Sequence, residues 1–148
     1  MMTPILHKAL VVYVLAAMNF WLPMPRWRAA EYHKVAEAIV DATPDPEEEI
    51  QLAAIGSLES GYSVSARGKL GEIGVWQHLP MKGFPVPKSL VGQAKLAVYK
   101  WFKMGRCSYT GESNRADHKC PLADNRYLRA FDYSRTHPFV MEQPIASR

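Results

Sequence analysis

The sequence has only two cysteines, no run of five or more Lys/Arg, no internal repeat and no low-complexity segment. Each shortage removes a class of protein. Two cysteines cannot build a disulfide-dense scaffold, so the chain must fold on an apolar core. Dispersed basic residues argue against a nucleic-acid interface, which gathers Lys and Arg on one face, and no nucleic-acid partner is expected. No zinc spacing is present either. Cys107, His118 and Cys120 supply three ligands in an unusual order, so neither a metal nor a cofactor is expected.

What remains suits one globular domain. The 148 residues are 48% hydrophobic and 22% charged, with 18 Lys+Arg against 14 Asp+Glu. That length supports one core and is short for two. The net charge of +4 and pI near 9.1 fit an acidic partner without choosing among wall polymer, nucleic acid and membrane. Cys107 and Cys120 read first as a disulfide, with two free thiols as the alternative.

No apolar run reaches the length of a standard membrane span. The longest, Ala9 to Leu22, is broken only by Asn19 and is flanked by His7 and Lys8 before it and Arg26 and Arg28 after it. As a helix it measures about 21 Å against a hydrocarbon core of roughly 30 Å. A tilted anchor, the centre of a signal peptide, and a helix docked on its own domain or on a partner subunit all fit. The chain therefore divides into a hydrophobic segment, 1–26, membrane-directed or partner-docking, and a domain, 27–148.

Helical spacing begins after Pro23 and Pro25, with Trp27, Ala30, Val35, Ala38 and Ile39 on one face. Asp45 is a natural N-cap with Pro46 at the first helical position, and Glu47, Glu48 and Glu49 complement the helix dipole on a solvated face. The helix that follows, Ile50 to Glu59, is apolar around most of its circumference and is predicted at the domain centre. A Gly- and Pro-rich stretch from Gly61 to Pro87, including Gly83, reads as loop with at most short strands around Ile73 to Gln77. Helical pattern returns from Ser89 to Met104, with Lys100 among the lysines placed outside its apolar face. A short helix from Leu122 to Tyr133 and a tail ending near Pro144 complete the chain.

Glu59 stands at the C-terminal end of its apolar helix, an odd place for a carboxylate. Desolvation and the negative end of the helix dipole both disfavour the anion there, the condition a general acid needs. Ala54-Ile55-Gly56-Ser57-Leu58-Glu59-Ser60-Gly61-Tyr62, followed by Gly71-Glu72-Ile73-Gly74-Val75-Trp76-Gln77, resembles the two signature segments of lytic transglycosylases. These have an apolar helix ending in Glu-Ser-Gly-aromatic and then a Gly-x-x-Gly-hydrophobic-hydrophobic-Gln loop. The match covers residues 54–77. The resemblance implies a mainly α, lysozyme-like α+β fold with a buried catalytic helix, a Gly-rich loop or short β-hairpin, and flanking helices. It also implies a mechanism with one carboxylate. Glu59 would protonate the oxygen between N-acetylmuramic acid and N-acetylglucosamine in peptidoglycan glycan strands and then act as base, giving a 1,6-anhydro product.

Around that acid, Ser60 is expected to bond substrate or orient Glu59, and Gln77 to hold the sugar's acetamido group. Gly71 and Gly74 would let the backbone approach the glycan, while Tyr62 and Trp76 line saccharide subsites or pack in the core. Hydrolysis would require a second carboxylate. Glu72 is the nearest candidate, ahead of Glu31, Glu37 and Asp41, and its plainer reading is an exposed loop acid. The family's later Ala-Tyr-Asn segment is missing, leaving Tyr109 or Tyr127 as substitutes near the acid. A phage virion protein that opens the wall during genome entry, or a small enzyme of the periplasm or cell envelope, fits this reading. Partners would then include virion or secretion-complex subunits, or a membrane met through residues 5–24. A non-catalytic wall-binding or assembly protein is the contrasting expectation.

Overall fold

The computed structural model describes residues 2–81 and 85–141. Gly83 of the loop and the end of the tail, residues 142–148 with Pro144, lie outside the described residues. The fold is mainly helical, with α1 (Pro4–Trp21), α2 (Ala29–Ala42), α3 (Pro46–Glu59), α4 (Leu90–Val98), α5 (Arg106–Tyr109) and α6 (Pro121–Thr136). A 3-10 turn, Arg26–Arg28, precedes α2, and a π-helical turn, Tyr99–Lys103, continues α4. No strand forms among the described residues. Where short strands were expected, Arg67–Ile73 and Ile73–His78 make isolated antiparallel bridges. The chain turns too often for a ladder: Gly71 and Gly74 take left-handed φ, and Gln77 N–H closes back on the Gly74 carbonyl.

Helix α3 is the hub, packed by α1, α2, α4 and α6. Its start follows from local chemistry. Asp45 accepts the Glu47 N–H at 2.9 Å, Pro46 needs no N–H partner there, and Thr43 Oγ1 donates to Glu48 at 2.7 Å. Ile50, Leu52, Ala53, Ala54 and Ile55 are fully buried, and the alanines let neighbouring helices approach. Each large apolar side chain so buried contributes about 1.5–3 kcal/mol.

The apolar N-terminal segment docks on its own domain. Leu10, Val11, Val14 and Met18 of α1 join the core made by Tyr32, Val35 and Ile39 of α2 and Leu52 and Ile55 of α3. Polar contacts fix the register: Thr3 caps Leu6 N–H, His7 Nε2 meets Asp41 at 2.8 Å, and Tyr13 OH donates to the His137 carbonyl at 2.6 Å. Asn19, the one break in the run, accepts the Met24 N–H and turns the chain out of the helix. By length and composition α1 is also able to cross a membrane, and Ile5, Val12 and Phe20 remain exposed on its outer side.

Two expectations change. Trp27, placed on an apolar face by spacing, is 82% exposed because it sits in the 3-10 turn instead of the helix. Glu49 does not share a solvated face with its neighbours. It is fully buried, and neither carboxyl oxygen has a hydrogen-bond partner among the described residues. Burial, with Asp45 and Glu48 adding to it, pushes its pKa up from 4.5 to about 8. Between those values the native state keeps a proton the unfolded chain has released. The contribution of Glu49 is therefore fully present below about pH 4.5 and is lost as pH rises through 8. Glu49→Gln keeps the shape without the titration and is expected to flatten that fall, measured as Tm from pH 4.5 to 8.5. Parallel curves for parent and variant would show that Glu49 is not responsible.

Candidate active site

The end of α3 is fastened to the loop after it by side chains that reach back into the helix. Tyr62 OH donates to the Ala53 carbonyl at 2.9 Å, and Trp76 Nε1–H donates to the Leu52 carbonyl at 3.0 Å. Ser60 Oγ donates to the Val75 carbonyl at 2.8 Å and accepts the Ser63 N–H. Gly56 permits this closeness, since a Cβ there would lie 3.0 Å from Val75 Cγ1 and 3.3 Å from the Tyr62 ring. Gly61 (φ 62°) and Tyr62 (φ 63°) reverse the chain in the left-handed region. That conformation is costly for tyrosine and is held by its buried hydroxyl bond. Arg28 clamps the same turn, donating to the Gly61 carbonyl at 2.9 Å and pairing with Glu31, which also accepts the Val64 N–H. Burial pushes the Glu31 carboxyl up, but the Val64 amide and Arg28 outweigh it and hold its pKa low.

These contacts leave Glu59 on the wall of a cleft of about 850 Å³, within the range of small-ligand sites. Glu72, Trp76, Gln77 and His78 of the loop line it, with Lys100 and Met104 from the π-turn end and Tyr109, Leu122 and Arg126 opposite. Arg126 donates to Glu59 Oε1 from both Nε (3.2 Å) and Nη2 (2.8 Å). Oε2 receives no hydrogen bond from the described residues, so it is the oxygen left for a ligand. The pair is largely shielded, with Arg126 and Glu59 side chains 11% and 22% exposed.

The opposite wall is tied covalently. Cys107 and Cys120 form a disulfide that joins α5 to the start of α6. Glu112 accepts from Thr110 Oγ1 and from the Leu122 and Ala123 amides, capping α6. Burial works against that carboxylate, but these donors and Arg115 lower its pKa. Tyr109 OH donates to the Trp76 carbonyl at 2.7 Å, bridging this wall to the loop. Burial, with Glu59 adding to it, pushes the Tyr109 hydroxyl well above its ordinary range.

The expected site residues separate into two groups. Glu59, Glu72, Trp76, Gln77 and Tyr109 share the cleft. Ser60 and Tyr62 do not line it. Ser60 spends its hydroxyl on the loop, and Tyr62 is fully buried against Tyr32, so both support the site instead of touching a ligand. Trp76 is mostly core, its indole anchored in α3. Gln77 donates its amide to the Gly74 carbonyl at 2.7 Å, and Glu72 Oε2 accepts the Leu70 N–H. Gly74 is also reassigned. It is buried with φ 80°, and a Cβ would lie 2.4 Å from Gln93 Oε1, so the close approach it allows is to Gln93 and not to a glycan.

Of the weaker candidates, Glu31 belongs to the Arg28 clamp, Glu37 pairs with His33 and Asp41 with His7, and none lines the cleft. Tyr127 packs under Arg106, whose guanidinium lies 3.7 Å from the ring centroid, and it too lies outside the cleft. Arg126, Lys100 and His78 were missed from sequence. Arg126 is 67 positions from its partner, and only its neighbour Tyr127 drew notice. Comparison of the chain with protein-family models, curated proteins and solved structures gave no match.

Arg126→Met is expected to cost about 1–3 kcal/mol, because it leaves a shielded carboxylate without its donor. For a chain of this size that is a fall in Tm of several degrees. Thermal unfolding of parent and variant at neutral pH checks it, and an unchanged Tm would show that the pair contributes nothing to the fold.

Proposed function

We propose that the chain is a peptidoglycan lytic transglycosylase with a lysozyme-like active site, cutting the β-1,4 bond between N-acetylmuramic acid and N-acetylglucosamine. The observation that carries this reading is the state of Glu59. It ends a buried helix, its Oε1 is held by Arg126, its Oε2 has no hydrogen bond from the described residues, and it lines a cleft of about 850 Å³. Arg126 acts as a positioning residue that fixes the carboxyl plane.

In the proposed reaction Glu59 gives its proton to the bridging oxygen as the C1–O bond breaks, and the sugar's acetamido group stabilises the cation that develops. The Glu59 carboxylate then takes the proton of the C6 hydroxyl, whose oxygen closes on C1 to form the 1,6-anhydro ring. Gln77 lies on the same wall to meet the acetamido group. Glu72 favours a second reading, hydrolysis by a muramidase, since it shares the cleft. Its bond to the Leu70 amide gives it a structural duty as well.

The disulfide fits work in an oxidising setting, such as a virion or the bacterial envelope. The exposed apolar side of α1 supports a virion or secretion-complex subunit, or a membrane, as an additional partner. Digestion of purified sacculi with mass analysis of the released muropeptides tests the reaction. The parent is expected to release anhydro products, one water lighter than hydrolytic ones, and Glu59→Gln to lower release about 10²–10⁴-fold. Release undiminished in Glu59→Gln would overturn the assignment, and reducing-end products would select the muramidase.

A further inference from the structure

The cleft holds three cations, and they are not equivalent. Lys69 is exposed on the loop, and Arg126 is committed to Glu59. Lys100 is half-buried on the wall, with no carboxylate within 4 Å and no hydrogen bond among the described residues. Burial alone lowers its pKa, a measure of water lost without a counter-charge gained. The π-helical turn Tyr99–Lys103 widens the helix at this point, with Met104 N–H bonding the Tyr99 carbonyl at 3.2 Å. Trp101 Nε1–H locks the turn to Gln51 of α3 at 2.8 Å. Single π-turns inside helices are frequent at functional sites.

Beside Lys100 on the same wall is His78, almost wholly buried. Its Nε2 lies 2.8 Å from the Gln93 carbonyl, which can only accept, so Nε2 carries the hydrogen. Nδ1 is therefore an acceptor, and it has no partner. Burial, then Lys100, keep the ring neutral, with its pKa lowered to about 4 against the opposing Gln93 contact. An uncompensated ammonium on the cleft wall, beside a ring held neutral, matches a ligand that brings a carboxylate.

We propose that Lys100, with His78 beside it, receives the carboxylate-bearing arm of muramic acid, lactyl or stem peptide, and so selects muramoyl glycans over uncharged N-acetylglucosamine polymers. This rests on the peptidoglycan reading of the cleft above. Glu59 and Gln77 would handle the sugar ring and the bond, and Lys100 the substituent that distinguishes one polymer from the other.

Titration calorimetry of the parent with three thio-linked probes, in which sulfur replaces the bridging oxygen to prevent turnover, tests this. They are a muramoyl tetrasaccharide with its stem peptides, the same glycan without peptide, and chitotetraose. A preference of about 10-fold or more for at least one muramoyl probe over chitotetraose is expected, the size of one charge-assisted contact. Lys100→Met should reduce that preference to within about twofold while leaving chitotetraose affinity unchanged, and Lys100→Arg should retain most of it. Unchanged Tm in both variants establishes that they fold. Preference for the peptide-free glycan assigns the lactyl carboxylate, and preference for the peptide-bearing one alone assigns the stem. Equal affinities in the parent, a preference that survives Lys100→Met, or loss of all three ligands in that variant would overturn the assignment of Lys100. Failure of every probe to bind the parent would instead overturn the peptidoglycan reading itself.

Discussion

A buried helix that ends in a carboxylate facing a cleft must stop abruptly and still hold its last residue rigid. Here the restraint comes from the loop reaching back over the helix: the Tyr62 and Trp76 side chains donate to the Ala53 and Leu52 carbonyls in the middle of α3. The loop is thereby laid along the helix it has just left, at a spacing where a Cβ on Gly56 would crowd Val75 and Tyr62. The loop residues that share the cleft with Glu59 are held by those two bonds together with the Ser60 and Tyr109 contacts. The left-handed Tyr62 backbone follows from the same fastening, since the turn must bring that ring under the helix within two residues.

The two walls of the cleft are built on different principles. One is a loop with scarcely any ladder, made firm by side-chain donors to backbone carbonyls. The other is a pair of helix ends, α5 and the start of α6, held by a covalent link and by the Glu112 cap. Tyr109 and Arg126 cross between them, one bonding the Trp76 carbonyl and the other the Glu59 carboxyl. Charge follows this division. Arg126 holds the Glu59 carboxyl at one end, while Lys100 has no carboxylate partner among the described residues on the wall beyond.

Much of this plan was legible in the chain. Asp45 and Pro46 fixed the start of α3, its unbroken apolar surface placed it centrally, and the linked Glu59 and Gln77 segments brought both residues to one cleft. These features depend on neighbours a few positions away, where side-chain pattern and backbone geometry are coupled. The duties of Ser60 and Tyr62 were not legible. Whether a hydroxyl meets a ligand or a backbone carbonyl depends on what folds over it, and Val75 and Ala53 cannot be read from composition. Glu49 shows the same limit, since three successive glutamates at a helix start look alike until the fold buries one of them. Arg126 and Lys100 were harder still, each an ordinary basic residue on a helix until the cleft closes around it.

The link between Cys107 and Cys120 has a meaning beyond the added stability of a closed loop. It lies on the wall that supplies Tyr109 and Arg126 and not on the wall that supplies the acid, so cutting it would leave Glu59 seated while loosening its surroundings. In a thiol-reducing cytoplasm the protein would keep its core and lack a firm half of its cleft. The shape of the site therefore depends on the redox state of that one pair, while the seat of Glu59 does not.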